Sequence, residues 1–162
     1  MRNHLALLAL SASLVACSST NSVGVLTDGD FGSFNGATVE LTAEGGIAAL
    51  SVHHVVRHDD RAYIYSQRHI CGQNCGAPLD SASGTLSAAA TDSLFNIVLA
   101  QSPSSLKDDY GITQGGADMM TYTLTLAAGG NVKTIRADDG TMPEPMRQIV
   151  QALRTTVANA RK

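Results

Sequence analysis

The feature that most constrains this chain is a run of strict alternation in its second half, where Tyr122, Leu124 and Leu126 are interleaved with Thr121, Thr123 and Thr125. Successive side chains on a strand point to opposite faces, so this pattern predicts a half-buried β-strand with one apolar and one hydroxyl face. Gly129-Gly130-Asn131 supplies the backbone freedom to reverse direction, and residues 132–137 return as the second arm of a hairpin. A lone hairpin is marginal in water, so the apolar face must be covered by other elements of the same domain.

Those elements can be read on either side. Val39, Leu41 and Ala43 alternate with Thr38, Glu40 and Thr42, and Glu44-Gly45-Gly46 follows as a turn. Residues 47–56 are predicted to return as a second strand. His58-Asp59-Asp60 turns the chain again, and residues 61–67 form a third strand with Tyr63 and Tyr65 on one side and Ile64 on the other. After a loop rich in Gly, Ser and Cys, residues 88–101 place Leu94, Phe95, Val98 and Leu99 at helical spacing, with Ser87 as N-cap and Pro103 beyond the end. Thr141-Met142-Pro143-Glu144 reads as a capping box before a second helix, whose apolar stripe is Met146, Ile149, Val150, Leu153 and Val157. The order βββ-α-ββ-α predicts an α+β fold: an antiparallel sheet of about five strands with two helices packed on one face. Residues 37–162 suffice for one domain with a single core and contain no internal repeat.

The amino terminus sets the compartment. A short basic region with Arg2 precedes the apolar run from Leu5 to Leu10, too short for a permanent membrane span, and the chain then reaches Leu14-Val15-Ala16-Cys17. Leu14, Val15, Ala16 and Cys17 resemble the lipobox of bacterial lipoproteins. The resemblance implies a signal peptide over residues 1–16, cleavage before Cys17, and a thioether-linked diacylglycerol with further acylation, such as palmitate, on that cysteine. An ordinary secretory peptide or an uncleaved anchor ending in a cysteine is the alternative. Several acyl chains on one residue, each buried methylene contributing about 0.8 kcal/mol, make detachment negligible. Ser18 after the lipidated residue goes, in the lipoproteins it resembles, with sorting to the outer membrane, the domain facing the periplasm. Residues 18–36 are Ser, Thr, Asn, Gly and Asp with scattered apolar residues, and read as a flexible tether with an r.m.s. reach of roughly 25 Å. Within it Asp28-Gly29-Asp30 has some calcium-loop character but no further ligands in register, so it reads as solvated linker.

Charge and motifs narrow the function classes. Cleavage would remove Arg2 and leave 10 Lys and Arg against 14 Asp and Glu, a net charge of −4 with histidines neutral. Without a basic run, without Trp and with aromatics at 4%, the chain has no footprint for nucleic acid. There is no Gly-x-Ser-x-Gly elbow and no glycine-rich phosphate loop before a helix, so an enzyme is not expected, nor a cofactor or small-molecule substrate. Asp59-Asp60, Asp108-Asp109 and Asp138-Asp139 fall where the chain turns and read as solvated turn residues rather than acid-base pairs.

Cys71 and Cys75 enclose three residues. In an oxidising compartment a disulfide is the default, and so small a ring stiffens a loop by about 2 kcal/mol at most. A metal site and a redox pair remain as alternatives. His69 lies two residues before Cys71, with His53, His54 and His58 nearby, which suits zinc or copper, but His53 and His54 project to opposite faces of a strand. His54 shares parity with Leu50, Val52 and Val56 and reads as a partly buried, hydrogen-bonded histidine.

Gly45-Gly46-Ile47-Ala48 after the first strand, Gly84-Thr85-Leu86-Ser87 before the first helix, Ala117-Asp118 shortly before Tyr122, and Asp138-Asp139-Gly140 with Pro143 at the last helix together resemble the emfourin family. This family comprises small inhibitors of thermolysin-like metalloproteases such as protealysin. The resemblance spans nearly all of residues 37–162 and implies a non-catalytic domain that docks on a protease. The expected function is therefore that of an envelope protein-binding module, with an envelope-maintenance lipoprotein without defined ligand as the alternative and a metal-handling lipoprotein behind both. Mass spectrometry of the membrane fraction is expected to find Cys17 amino-terminal and acylated. A bare thiol at Cys17 in an unprocessed soluble chain would overturn the anchor and the oxidising compartment together.

Overall fold

A computed structural model describes residues 26–70, 77–113 and 118–162. Six strands form one antiparallel sheet: β1 (Thr38–Gly45), β2 (Leu50–Arg57), β3 (Ala62–His69), β4 (Asp80–Thr85), β5 (Met120–Ala128) and β6 (Asn131–Asp138), in the spatial order β4-β3-β2-β1-β5-β6. Helix α1 (Ala88–Ala100) follows β4 and helix α2 (Glu144–Ala160) follows β6. The chain order is thus ββββ-α-ββ-α, one strand more than the sequence predicts. The additional strand is β4, whose residues Asp80-Ser81-Ala82-Ser83-Gly84-Thr85 carry no apolar face and little strand propensity. It exists because β3 templates it, Ala62 facing Thr85 through to Gln67 facing Asp80. A Cβ at Gly84 would stand 3.0 Å from the Tyr63 ring, so glycine there lets that ring pack closely on the strand.

One face of the sheet is buried and the other is not. Val39, Leu41 and Ala43 of β1 lie under the helices together with Val56, Tyr63, Tyr65, Tyr122, Leu124, Leu126 and Ile135, while their alternating neighbours remain half-buried or exposed. The hairpin of β5 and β6 keeps the expected register, with Leu124 opposite Ile135. β1 joins the two halves, pairing Leu41 with His54 on β2 and with Leu124 on β5. The helices close the core as their patterns predict: Leu94, Phe95 and Val98 from α1, and Met146, Ile149, Val150, Leu153 and Val157 from α2. Ser87 caps α1 by accepting the Ala90 N–H at 3.2 Å.

Two local expectations are corrected. The second strand starts at Leu50, not at residue 47, because Gly46 to Ala49 form a tight turn closed by Ala49 N–H to Gly46 O at 3.0 Å, which leaves Ile47 84% exposed. Gly45 is obligatory before that turn: its φ is +123°, and a Cβ would lie 2.5 Å from the Met119 carbonyl oxygen. The capping box before α2 does not form. Pro143 occupies the N-cap without a side-chain bond, and Thr141 Oγ1 accepts from Asp138 N–H at 3.0 Å, while Glu144 turns along the helix toward Arg147 and Gln148.

The largest correction concerns the tether. Leu26 and Phe31 are fully buried, and Asp28–Phe31 forms a short 3-10 turn, so the described part of residues 18–36 belongs to the domain. Two apolar side chains in core contact outweigh a polar average composition. Polar contacts tie the segment down as well. Asp28 accepts the Ser104 N–H at 3.1 Å, and Asp30 accepts Thr27 N–H at 2.7 Å and the Asn131 amide at 3.2 Å. These bonds make Asp28-Gly29-Asp30 a fold element rather than solvated linker, and the one from the Thr27 backbone lowers the Asp30 pKa. Phe34 extends the contact, its ring 5.7 Å from that of Phe95. Phe31→Ala is expected to cost about 3–5 kcal/mol of unfolding free energy, read from urea melts; a change within about 0.5 kcal/mol would return this segment to a tether.

Candidate binding surface

The residues singled out for lipid attachment and oxidation, Leu14, Val15, Ala16, Cys17, Cys71 and Cys75, lie outside the described residues, as does Ala117. His53, His54, His58 and His69 are described, and the fold separates them. His53 Nε2 meets Glu40 Oε1 at 2.9 Å on the open face of the sheet, and His58 Nε2 meets Asp92 of α1 at 3.1 Å. His69 Nδ1 lies 3.2 Å from the Ala48 carbonyl oxygen. Among the described residues no three His, Cys, Asp or Glu side chains gather in a way that could hold a metal ion.

His54 goes to the helix-covered face, as its parity with Val52 and Val56 requires. It is only 6% exposed, and its ring stands 5.1 Å from that of Tyr65. It differs from expectation in its bonding: Nδ1 is buried without a hydrogen-bond partner. Burial, followed by the positive fields of Arg154, His53 and Arg161, pushes the His54 pKa down to about 4, so the ring is neutral at neutral pH. Two arginines complete this side of the core, Arg161 stacked 3.8 Å from the Tyr65 ring centre and ion-paired with Asp80, and Arg154 5.3 Å from that of Tyr122.

The acidic pairs divide. Asp59 and Asp60 are solvated as expected, although Asp59 accepts the Gly36 N–H and Asp60 pairs with Arg57 at 2.6 Å. Asp108 meets Lys133 at 3.2 Å, and Asp109 accepts the Gly111 N–H. Asp138-Asp139 is not a solvated pair. Asp138 is 0% exposed, and its carboxylate accepts from Thr113 N–H, from Gly140 N–H at 2.9 Å and from Thr141 N–H at 2.8 Å. Burial alone would raise its pKa, but the bonds from Thr113 and Thr141 overcome that and hold it at about 2. Asp139 accepts Met120 N–H at 2.8 Å and the Tyr122 hydroxyl at 2.7 Å; burial first, and this bond second, raise the Tyr122 pKa. The motif Asp138-Asp139-Gly140 therefore fastens β6 to the segment before β5 and to the approach to α2. Its carboxylates are occupied by structural donors.

What remains accessible is the second face of the sheet and one of its edges. The open face carries Thr38, Glu40 and Thr42 of β1, His53 and Val55 of β2, Ile64 and Ser66 of β3, Ser81, Ser83 and Thr85 of β4, Thr121, Thr123 and Thr125 of β5, and Thr134 and Arg136 of β6. It is a hydroxyl-rich surface with Ile64 at 41% exposure beside Ser83. The two edges differ. β6 is covered: Arg136 N–H donates to Asp108 O at 2.8 Å, and Tyr110 N–H to Arg136 O at 2.9 Å. Among the described residues β4 is the terminal strand on the other side, paired with β3. Between α1 and α2, opening at the end of β4, runs a groove of about 750 Å³ lined by Leu86, Ala90, Ile97, Ala152, Thr156 and Asn159 among others.

Sequence reasoning missed β4 altogether. Its only signal is the period-two spacing of Ser81, Ser83 and Thr85, which lacks the apolar partner set that marks a strand. Comparison with protein-family models and with curated proteins finds no match to this chain.

The unpaired buried imidazole makes a pH prediction. The His54 pKa is depressed by folding, so the unfolded chain takes up the proton first: stability is full above about pH 6.5 and falls as pH drops toward 4. Asp138 contributes separately, since its lowered pKa removes stability only as pH falls from 3.8 toward 2. His54→Leu is expected to flatten the dependence of the urea midpoint between pH 7 and 4.5; an unchanged slope in that variant would show that His54 is not its source.

Proposed function

We propose that this chain is a non-catalytic protein-binding module of the bacterial cell envelope. Acyl chains on Cys17 hold it at the outer membrane with the domain facing the periplasm, and its partner is a metalloprotease of the thermolysin type, which it inhibits. The observation that carries the binding reading is the side of the sheet that the described helices leave open: among the described residues six strands are backed by helices on one face, while most side chains of the other face, Ser51 and Asp138 excepted, and those of β4 are at least partly exposed. A sheet surface backed by a packed core is suited to docking on another protein with little ordering cost. The non-catalytic reading is supported by the structural use of the best-organised carboxylates, Asp138 and Asp139, and by the dispersal of His53, His54, His58 and His69. The anchor rests on the lipobox-like Leu14-Val15-Ala16-Cys17, and the protease partner on the emfourin-like spacing of turns and caps.

Titrating the mature acylated chain, in detergent micelles, against thermolysin is expected to reduce peptide cleavage with slow or tight inhibition. Undiminished cleavage at a large molar excess would remove the protease from this reading.

A further inference from the structure

The geometry points to a defined occupant for the β4 edge: an extended segment of a partner protein that pairs with β4 as a seventh strand and places one apolar side chain in the groove between α1 and α2. The inference deepens the binding-module reading and rests on it.

The hydrogen-bonding direction follows from the register. Leu86 N–H donates to Arg61 O at 2.8 Å, so Leu86 and Arg61 form a hydrogen-bonded pair, and alternation along an antiparallel ladder turns Gly84 and Ala82 toward β3. The N–H and C=O groups of Ser81, Ser83 and Thr85 then point away from the sheet, at the spacing another extended backbone would meet. Natural edges are blunted with lysine, proline, bulges or a covering segment. β6 has two of these, Lys133 and the Asp108–Tyr110 cover, whereas Asp80-Ser81-Ala82-Ser83-Gly84-Thr85 has no lysine or proline, and its one charge is spent on Arg161.

The helix-facing side of the edge is equally permissive. Ala82 and Gly84 raise almost nothing above the backbone, and the groove opens at the end of the strand, with Thr85, the following Leu86, and Asn159 and Ala160 from the end of α2 among its walls. Main-chain pairing at a sheet edge gives affinity, and a pocket for alternate side chains gives selectivity. Here the pocket is floored by Leu86, Ala90, Ile97 and Ala152 and rimmed by hydroxyl and amide groups, which suits a medium-sized aliphatic or aromatic side chain. A partner strand with apolar residues at alternate positions fits both.

The probe is a phage-displayed library of linear octapeptides, panned on the mature acylated chain in micelles. Enriched sequences are expected to carry an apolar residue at alternate positions, and a synthetic representative is expected to protect the amides of Ser81, Ser83 and Thr85 from hydrogen exchange. Ser83→Pro removes the central outward donor at a position where an edge strand tolerates proline, and should weaken that peptide at least about tenfold. Asn159→Trp, filling the groove from an exposed site, should do likewise, and Ile47→Ser in the remote β1–β2 turn should not. Ser83→Lys, which keeps the backbone donor and adds an edge charge, decides the matter should the proline variant not fold. Lack of enrichment, equal binding to both Ser83 variants, or concentration-dependent dimerisation abolished by Ser83→Lys would each overturn the inference, the last by making a second copy the occupant. Inhibition of thermolysin unaffected by both Ser83 variants would leave the binding module standing and remove the edge; amide protection without inhibition would do the reverse for the protease.

Discussion

The fold depends on the apolar alternation of β1. Val39, Leu41 and Ala43 face the helices at the seam where the meander β1 to β4 meets the hairpin β5–β6, and the pairing of Leu41 with both His54 and Leu124 is what makes the two halves one sheet. Side-chain period on a strand is two, so a register slip of one residue on either side would turn that strand's apolar set toward water. The burial of one face thus fixes the register of the sheet. The same constraint leaves the opposite face, rich in threonine and serine, without a cover from this chain's described elements.

Polar groups are used to lock the margins of this arrangement. Asp138 gathers three backbone donors where β6, the segment preceding β5 and the approach to α2 converge, and a buried carboxylate so bonded is more stable ionised than neutral. Asp28 and Asp30 do comparable work at the amino-terminal end, binding the 3-10 turn to Ser104 and Asn131 while Leu26 and Phe31 enter the core. His54 is the exception, a ring buried for its bulk beside Tyr65 with one nitrogen unsatisfied. Its cost is tolerated because the neutral form prevails at neutral pH.

Legibility from sequence followed how much of each element's burial is local. The β5–β6 hairpin, the stripe of α2 and the Ser87 cap could be read because period and capping chemistry act within a few residues. The amino-terminal segment could not, since Leu26 and Phe31, two buried residues in a polar stretch, gain their stability from a core whose other members lie far away in the chain. Thr141 reads as a helix cap and instead serves Asp138, a competition between two N–H donors for one hydroxyl oxygen that only geometry resolves. The candidate binding edge was illegible for the same reason: β4 is a strand because Tyr63 and Tyr65 beside it are already one.

The sequence by itself determined the α+β class, the apolar faces of the principal elements and, through Leu14 to Cys17, the expectation of an acylated envelope protein, because periodicity and short motifs are properties of neighbouring residues. Tertiary structure alone decided the sixth strand, the inclusion of Leu26 and Phe31, the burial of Asp138 and the contrast between a covered and an uncovered edge. Each of these depends on contacts between segments distant in the chain, whose free energy no local pattern carries.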